Sequence, residues 1–179
     1  MKKLTKNQLA KEIFSVSYLR GEFLLRSGLI SNEYFDKYQF ESRPELLSEV
    51  AKYLADIVPS GVDALAALEM GGIPIATALS FQTGLPLALV RKKAKEHGTK
   101  KIAEGCDIKG KRLLIVEDVV TSGGQVIISA NELRKEGASI EDAVCVIDRE
   151  AGGKEKLLDA GIKLHALFTI TELKTEHNK

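Results

Sequence analysis

The chain has 179 residues, a formal net charge of +1, 44% hydrophobic and 28% charged residues. That length fits one domain able to bury about two-thirds of its unfolded surface without disulfide or metal staples. The near-zero charge excludes a general attraction to nucleic acid or anionic membrane, so any anion site must be a local concentration of charge.

The start, Met1-Lys-Lys-Leu-Thr-Lys, has no apolar signal-peptide core behind it. Asn7 to Leu19 places Leu9, Ile13, Val16 and Leu19 at helical spacing. Between Gly21 and Lys37 lie two strand-like pieces, Phe23-Leu-Leu25 and Tyr34-Phe35, with a turn at Ser27-Gly28. Ser42 with Glu45 reads as a capping box, Pro44 falls in the first turn, and Leu46, Leu47, Val50, Ala51, Leu54, Ile57 and Val58 form one apolar stripe. Beyond Pro59-Ser-Gly61 the chain alternates. Ala64 to Leu68 is a strand ending at Glu69, Gly71-Gly-Ile-Pro74 opens a helix to about Phe81, and Leu85 to Val90 is a strand. Met70 to Val90 is uncharged, but Gly71, Gly72, Pro74, Gly84 and Pro86 cut it into turn, helix and strand rather than a membrane span. Lys111 to Asp118 is the next strand, Val126 to Lys135 a helix stopped by Gly137, and Ala143 to Asp148 a strand. Glu155 to Ala160 is a short helix, Lys163 to Thr171 the last strand, and Glu172 to Lys179 a polar tail. Strands alternating with helices imply an α/β fold with a mostly parallel sheet flanked by helices on both faces.

In such sheets ligands bind beyond the carboxyl ends of the strands. Glu69, Arg91, Glu117-Asp118 and Asp148-Arg149 all fall there. The segment Lys111-Arg-Leu-Leu-Ile-Val-Glu-Asp-Val-Val-Thr-Ser-Gly-Gly124 is the most informative. Acids at a strand end can hold ribose hydroxyls or a metal-bound sugar, and the turn Thr121-Ser122-Gly123-Gly124 can aim backbone N–H groups at one phosphate, helped by the helix dipole. Together they make a site for a phosphorylated ribose. The competing reading is an ordinary strand-turn-helix. A second constellation, Arg91-Lys-Lys-Ala-Lys-Glu-His-Gly-Thr-Lys-Lys101, has almost nothing to bury and reads as a surface loop. Beside a phosphate cradle, such a basic loop could close over the site, neutralise a pyrophosphate leaving group and exclude water. Cys106 and Cys145 show no metal-ligand spacing and suit a reducing compartment, with Cys145 reading as plain core.

These motifs resemble the type I phosphoribosyltransferases, which use phosphoribosyl pyrophosphate (PRPP). Arg91-Lys-x-Ala-Lys-x-His-Gly98 resembles the catalytic loop of the orotate phosphoribosyltransferase family, and Val116-Glu-Asp-Val-Val-Thr-Ser-Gly-Gly124 its PRPP motif. Gly21-Glu-Phe-Leu-Leu-Arg-Ser-Gly28 and Ser31-Asn-Glu-Tyr-Phe-Asp-Lys37 resemble its N-terminal hood, and Gly72-Ile-Pro-Ile-Ala76 and Ile147-Asp-Arg-Glu150 also correspond. The implied organisation is a single phosphoribosyltransferase domain over 1–179, with helix and hood over about 1–40, a core over 41–173 and a polar tail over 174–179.

The resemblance implies transfer of ribosyl 5-phosphate from PRPP to orotate, giving orotidine 5′-monophosphate and pyrophosphate. It implies catalytic roles for Lys95, His97 and Asp118. PRPP contacts would come from Arg26, Arg91, Lys92, Lys95, His97, Glu117, Asp118, Val119, Val120, Thr121, Ser122, Gly123, Gly124 and Gln125. Orotate would meet Tyr34, Phe35, Thr121 and Arg149. Read from the residues alone, Arg149 could equally form a strand-end salt bridge with Asp148 or Glu150, and Tyr34 and Phe35 could be simple core aromatics. Mg²⁺ would be held mainly by PRPP and water, with no protein ligand set. A homodimer with shared active sites, a cytoplasmic location, and no nucleic-acid or membrane partner complete the expectation. Arg26 stands where lysine is frequent, Ser122 where threonine or alanine is common, and Met70-Gly71 where some members have Tyr-Lys. The alternatives are a phosphoribosyltransferase for another base, a non-catalytic PRPP-binding regulator, or a relative whose base site has changed.

Overall fold

In the computed structural model, which describes residues 3–24, 28–93 and 101–179, the first helix is fixed by a reciprocal cap. The Gln8 N–H donates to Thr5 Oγ1, and the Thr5 N–H donates to the Gln8 side chain, opening α1 (Lys6–Ser17). Its apolar face buries Leu9, Ala10, Ile13 and Phe14. The chain then forms an antiparallel pair, β1 (Tyr18–Leu24) and β2 (Ile30–Phe35), with Tyr18 opposite Phe35. This pair is the hood, and it extends further than the two strand-like fragments legible in the sequence.

A single turn, α2 (Tyr38–Glu41), precedes α3 (Pro44–Ala55). The expected Ser42–Glu45 capping box does not form. The Ser42 hydroxyl donates instead to the Gln39 carbonyl, because α2 ends there, and Arg43 takes the N-cap position without a side-chain bond. Leu46, Val50, Ala51 and Leu54 are buried as the apolar stripe implies, while Ile57 and Val58 lie past the helix end but pack on the same core.

The rest follows the alternating pattern: β3 (Ala64–Leu68), α4 (Gly72–Thr83), β4 (Leu87–Val90), β5 (Ala103–Gly105), β6 (Arg112–Val120), α5 (Gly124–Lys135), β7 (Ser139–Asp148), α6 (Gly153–Asp159), β8 (Lys163–Thr169) and α7 (Ile170–His177). The sheet order is β5-β4-β3-β6-β7-β8, parallel throughout except for the antiparallel edge strand β5. The end of the chain is helix rather than a tail. Thr169 and Glu172 form a second capping box, and Leu173 is fully buried among otherwise polar neighbours.

Alternation along the strands divides the core into two layers. Leu65, Ala67, Leu114 and Val116 face α1, α3 and α4, whereas Ala64, Ala66, Leu113 and Ile115 face Val126 and Leu133 of α5 and Leu157 of α6. Fully burying a side chain such as Leu114 is worth about 1.5–3 kcal/mol relative to leaving it exposed. At the amino end of the sheet, away from the acids, Asp142 accepts hydrogen bonds from Arg112 Nη2 and His165 Nε2, both at 2.7 Å. Burial pushes the Asp142 carboxyl up, but these partners outweigh it and hold it below the usual value of 3.8. Its contribution is therefore full above 3.8 and is lost as pH falls through the lower folded-state value. Asp142→Ala is expected to cost about 1–3 kcal/mol at neutral pH. Urea unfolding should show the gap from the unmodified protein closing only on acidification below 3.8.

Candidate active site

Three chain segments meet at the carboxyl end of β6. Glu117 and Asp118 end the apolar run of that strand, and the turn that opens α4 lies directly over them. A Cβ on Gly71 would fall 1.4 Å from Asp118 Oδ2, and one on Gly72 would fall 2.3 Å from the Val116 carbonyl oxygen. Neither position has room for a side chain, so Gly71 here could not be the lysine that some members of the resembling family carry. From below, Lys37, at the junction of hood and α2, places its Nζ 2.5 Å from Asp118 Oδ2, and the Val119 N–H donates to Asp118 Oδ1 at 2.5 Å. Asp118 is completely buried.

The charges here are mutually dependent. Burial, followed by the charge of Asp118, pushes Glu117 up to about 8, against the pull of Lys37 and Lys92. Burial also pushes Glu41 up to about 8, with Asp118 again adding to the effect. Burial disfavours the Lys37 ammonium, but its bond to Asp118 and the surrounding acids hold it above the usual lysine value. Neither Lys37 nor Glu41 stood out in the sequence. A lysine before a single helical turn and a glutamate at its end carry no pattern of their own.

The glycine turn before α5 forms where the sequence places it. Thr121 and Ser122 are exposed, Gly123 has φ of 72° and caps α5, and the first turn of that helix leaves its N–H groups without intrahelical partners. Val120 is buried and Val119 half-buried, so both contribute backbone rather than side chain. Gln125 turns its amide to Ser129 Oγ at 3.2 Å. The turn is buttressed from behind by α6: a Cβ on Gly153 would lie 2.5 Å from the Thr121 carbonyl oxygen.

Arg149 lies one step away. Its N–H donates to the Val120 carbonyl at 2.9 Å, and its guanidinium lies 5.9 Å from the centre of the Phe35 ring. The neighbouring acids face backbone donors: Asp148 Oδ1 accepts from the Glu150 N–H, and Glu150 Oε2 from the Thr171 N–H. Phe35 is packed against the core, whereas Tyr34 is 44% exposed and stacks on Phe23. Tyr34, Phe35 and Arg149 line one cavity of about 200 Å³ together with Phe14, Tyr18, Ser31 and Glu33; Thr121 does not line it.

The basic loop leaves β4 on the same side. The Glu69 carboxylate accepts from the Lys92 N–H at 2.6 Å, tying the loop's first residues to the Gly71 turn. Arg91 Nε is buried with no hydrogen-bond partner. Lys95 and His97, like Arg26 in the hood, lie outside the described residues. No group of three or more His, Cys, Asp or Glu side chains suited to a metal ion occurs among the described residues. Glu117 Oε2, buried without a donor, offers a hard oxygen acceptor facing the turn, which fits a hydrated Mg²⁺ carried in by substrate oxygens.

This geometry is that of a protein that holds a phosphorylated sugar at the carboxyl edge of a parallel sheet. Residues 38–164 match the phosphoribosyl transferase domain, and the chain belongs to that family. Within it, the chain is 48% identical over 165 residues to an orotate phosphoribosyltransferase of a Nocardioides species, with 92% of each chain covered. The orotate phosphoribosyltransferase of Aeropyrum pernix superposes with a TM-score of 0.78 at 26% identity, covering 96% of this chain and 99% of the other. The Mycobacterium tuberculosis enzyme in complex with PRPP shares the fold, with a TM-score of 0.82 at 22% identity over 94% and 98% of the two chains. The particular branch to which this chain belongs is thus the orotate phosphoribosyltransferases.

Gly71→Ala tests the close approach. It is expected to cost about 1–3 kcal/mol through overpacking, visible in thermal unfolding, and to displace the Asp118 carboxylate from Lys37 in a crystal structure.

Proposed function

We propose that this chain transfers the ribosyl 5-phosphate of PRPP to orotate, producing orotidine 5′-monophosphate and pyrophosphate in pyrimidine synthesis. The observation that carries this reading is the joining of the glycine turn to an aromatic, arginine-lined cavity through the end of the β6–β7 ladder and the Arg149–Val120 backbone bond. The N–H groups of residues 120–124 receive the 5′-phosphate, and Glu117 and Asp118 face the ribose hydroxyls. The orotate ring lies against Tyr34 and Phe35, with its carboxylate at Arg149, whose planar fork suits that partner.

The bond from ribose C1′ to pyrophosphate breaks as the pyrimidine nitrogen attacks the same carbon, and positive charge gathers on the ribosyl centre. The protein orients both partners and offsets charge, without a covalent intermediate. Arg91 and Lys92 face the departing pyrophosphate, a role the family resemblance also gives to Lys95 and His97, and the buried, unpartnered Arg91 Nε supports it. Mg²⁺, when bound with PRPP, neutralises part of the diphosphate charge.

A homodimer fits the surface. A groove of about 510 Å³ runs between α3 and α4, lined by Pro44, Leu47, Ile73, Pro74 and Ala78, and beside it Phe81 is 83% exposed. An apolar face of this kind suits a symmetric partner. No helix among the described residues is long and apolar enough to cross a membrane, and a cytoplasmic location agrees with two free thiols.

The direct test is loss of orotate absorbance with PRPP and Mg²⁺, with adenine, hypoxanthine and uracil run in parallel. Turnover of orotate alone is expected. Turnover of another base would overturn the base pocket, and no turnover of any base would overturn the reading. In the same assay, Lys95→Ala is expected to lower kcat by about 10²–10³-fold, with PRPP affinity by calorimetry changed only a few-fold. Equal losses in both would reduce the loop to a binding element.

A further inference from the structure

Glu41 is 6% exposed, and no hydrogen-bond donor reaches either of its side-chain oxygens. Asp118 is the neighbouring acid that acts on it most strongly, through its charge and a side-chain hydrogen bond. Asp118 Oδ1 already accepts from the Val119 N–H, and Oδ2 is ion-paired with the Lys37 ammonium. Two bare neighbouring carboxylates inside a protein, with one ammonium paired to Asp118 alone, are stable only if one takes a proton. Asp118 has a donor and a paired cation whereas Glu41 has neither, so the proton belongs on Glu41. In that form Glu41 donates to Asp118, which satisfies the otherwise orphaned acid.

We propose that Glu41 and Lys37 are positioning residues for phosphoribosyl transfer: neutral Glu41 donates a hydrogen bond to Asp118 while Lys37 balances its charge, so that Asp118 remains one carboxylate of fixed orientation beneath the Gly71–Gly72 turn. This rests on the transferase reading above, in which Asp118 faces the ribose. The other charged groups acting on Glu41 are Lys37 beside α2 and Glu117 on β6, and Lys92 acts on the cluster through Glu117. Donors fixed before the reaction need no reorganisation during it, which is what a site stabilising a cationic ribosyl centre requires. The shift of Glu41 to about 8 agrees with the neutral form at physiological pH. Because the folded state keeps this proton to about 8 while the unfolded chain loses it near 4.5, folding stability falls as pH rises across that interval.

Glu41→Gln keeps a donor that cannot titrate, and Glu41→Leu removes the donor. Infrared difference spectra of the intact protein at neutral pH, wild type against Glu41→Gln, should show a protonated-carboxyl band that the variant lacks, and the same band should survive in Glu117→Gln. Glu41→Gln should keep kcat within about threefold, with an alkaline limb of the pH profile one proton less steep. Glu41→Leu and Lys37→Met should lose about 10–100-fold in kcat, as small misplacements of reacting groups do. The melting-temperature advantage of Glu41→Gln over wild type should widen from pH 4.5 to about 8. A band unchanged in Glu41→Gln would overturn the proposal, as would a Glu41→Gln variant as slow as Glu41→Leu with an unaltered pH profile. The infrared and melting readouts do not depend on turnover, so failure of the orotate assay and failure of this proposal are distinguishable.

Discussion

The ion pair between Lys37 and Asp118 is the contact through which the hood and the sheet become one site. Lys37 follows the hairpin, and Asp118 lies near the carboxyl end of the central strand β6. With Asp118 fully buried and Lys37 only partly exposed, losing one partner would leave a charge out of water with nothing to compensate it, a cost of about 3–5 kcal/mol. The pair therefore fixes where the hood sits. Phe35, two residues before Lys37, is brought under the Arg149 guanidinium by the same constraint.

The second device is the removal of side chains where backbones must approach. Gly71 and Gly72 let the β3–α4 turn settle onto Asp118 and the Val116 carbonyl, and Gly153 lets α6 support the phosphate turn. Any side chain at Gly71 would occupy the space of the Asp118 carboxylate, so a cation at this place must come from elsewhere. The structure supplies it from the hood as Lys37. The absence of a lysine from the turn and the presence of one beneath it are two parts of a single arrangement, and each is intelligible only beside the other.

The remaining contacts tie the loops to the sheet at the backbone. Glu69, at the end of β3, holds the Lys92 N–H, so the basic loop departs from the same turn that covers the acids. Glu150 reaches from the loop after β7 to the start of α7 and holds the segment that carries Arg149. In both places a carboxylate at a strand end acts on peptide N–H groups, a charge-assisted bond stronger than a neutral one.

The sequence by itself determined the alternating fold, the glycine turn, the Glu117-Asp118 pair and the grouping of Glu69, Arg91 and Arg149 at the carboxyl edge of the sheet, while Phe35 entered only through the family resemblance. Those features are local: apolar runs, glycine turns and strand ends are written in consecutive residues. Capping was legible as a motif but misplaced, because Ser42 had a nearer acceptor in the preceding turn and Thr169 looked like the end of a strand. The C-terminal helix was obscured because its one fully buried anchor, Leu173, makes no periodic stripe. Only the tertiary structure decided that Lys37 and Glu41 converge on Asp118, some eighty positions further along the chain, and that Gly71 has no room for anything more. Burial and charge balance at that point depend on which segments the fold brings together, and no spacing along the chain encodes them.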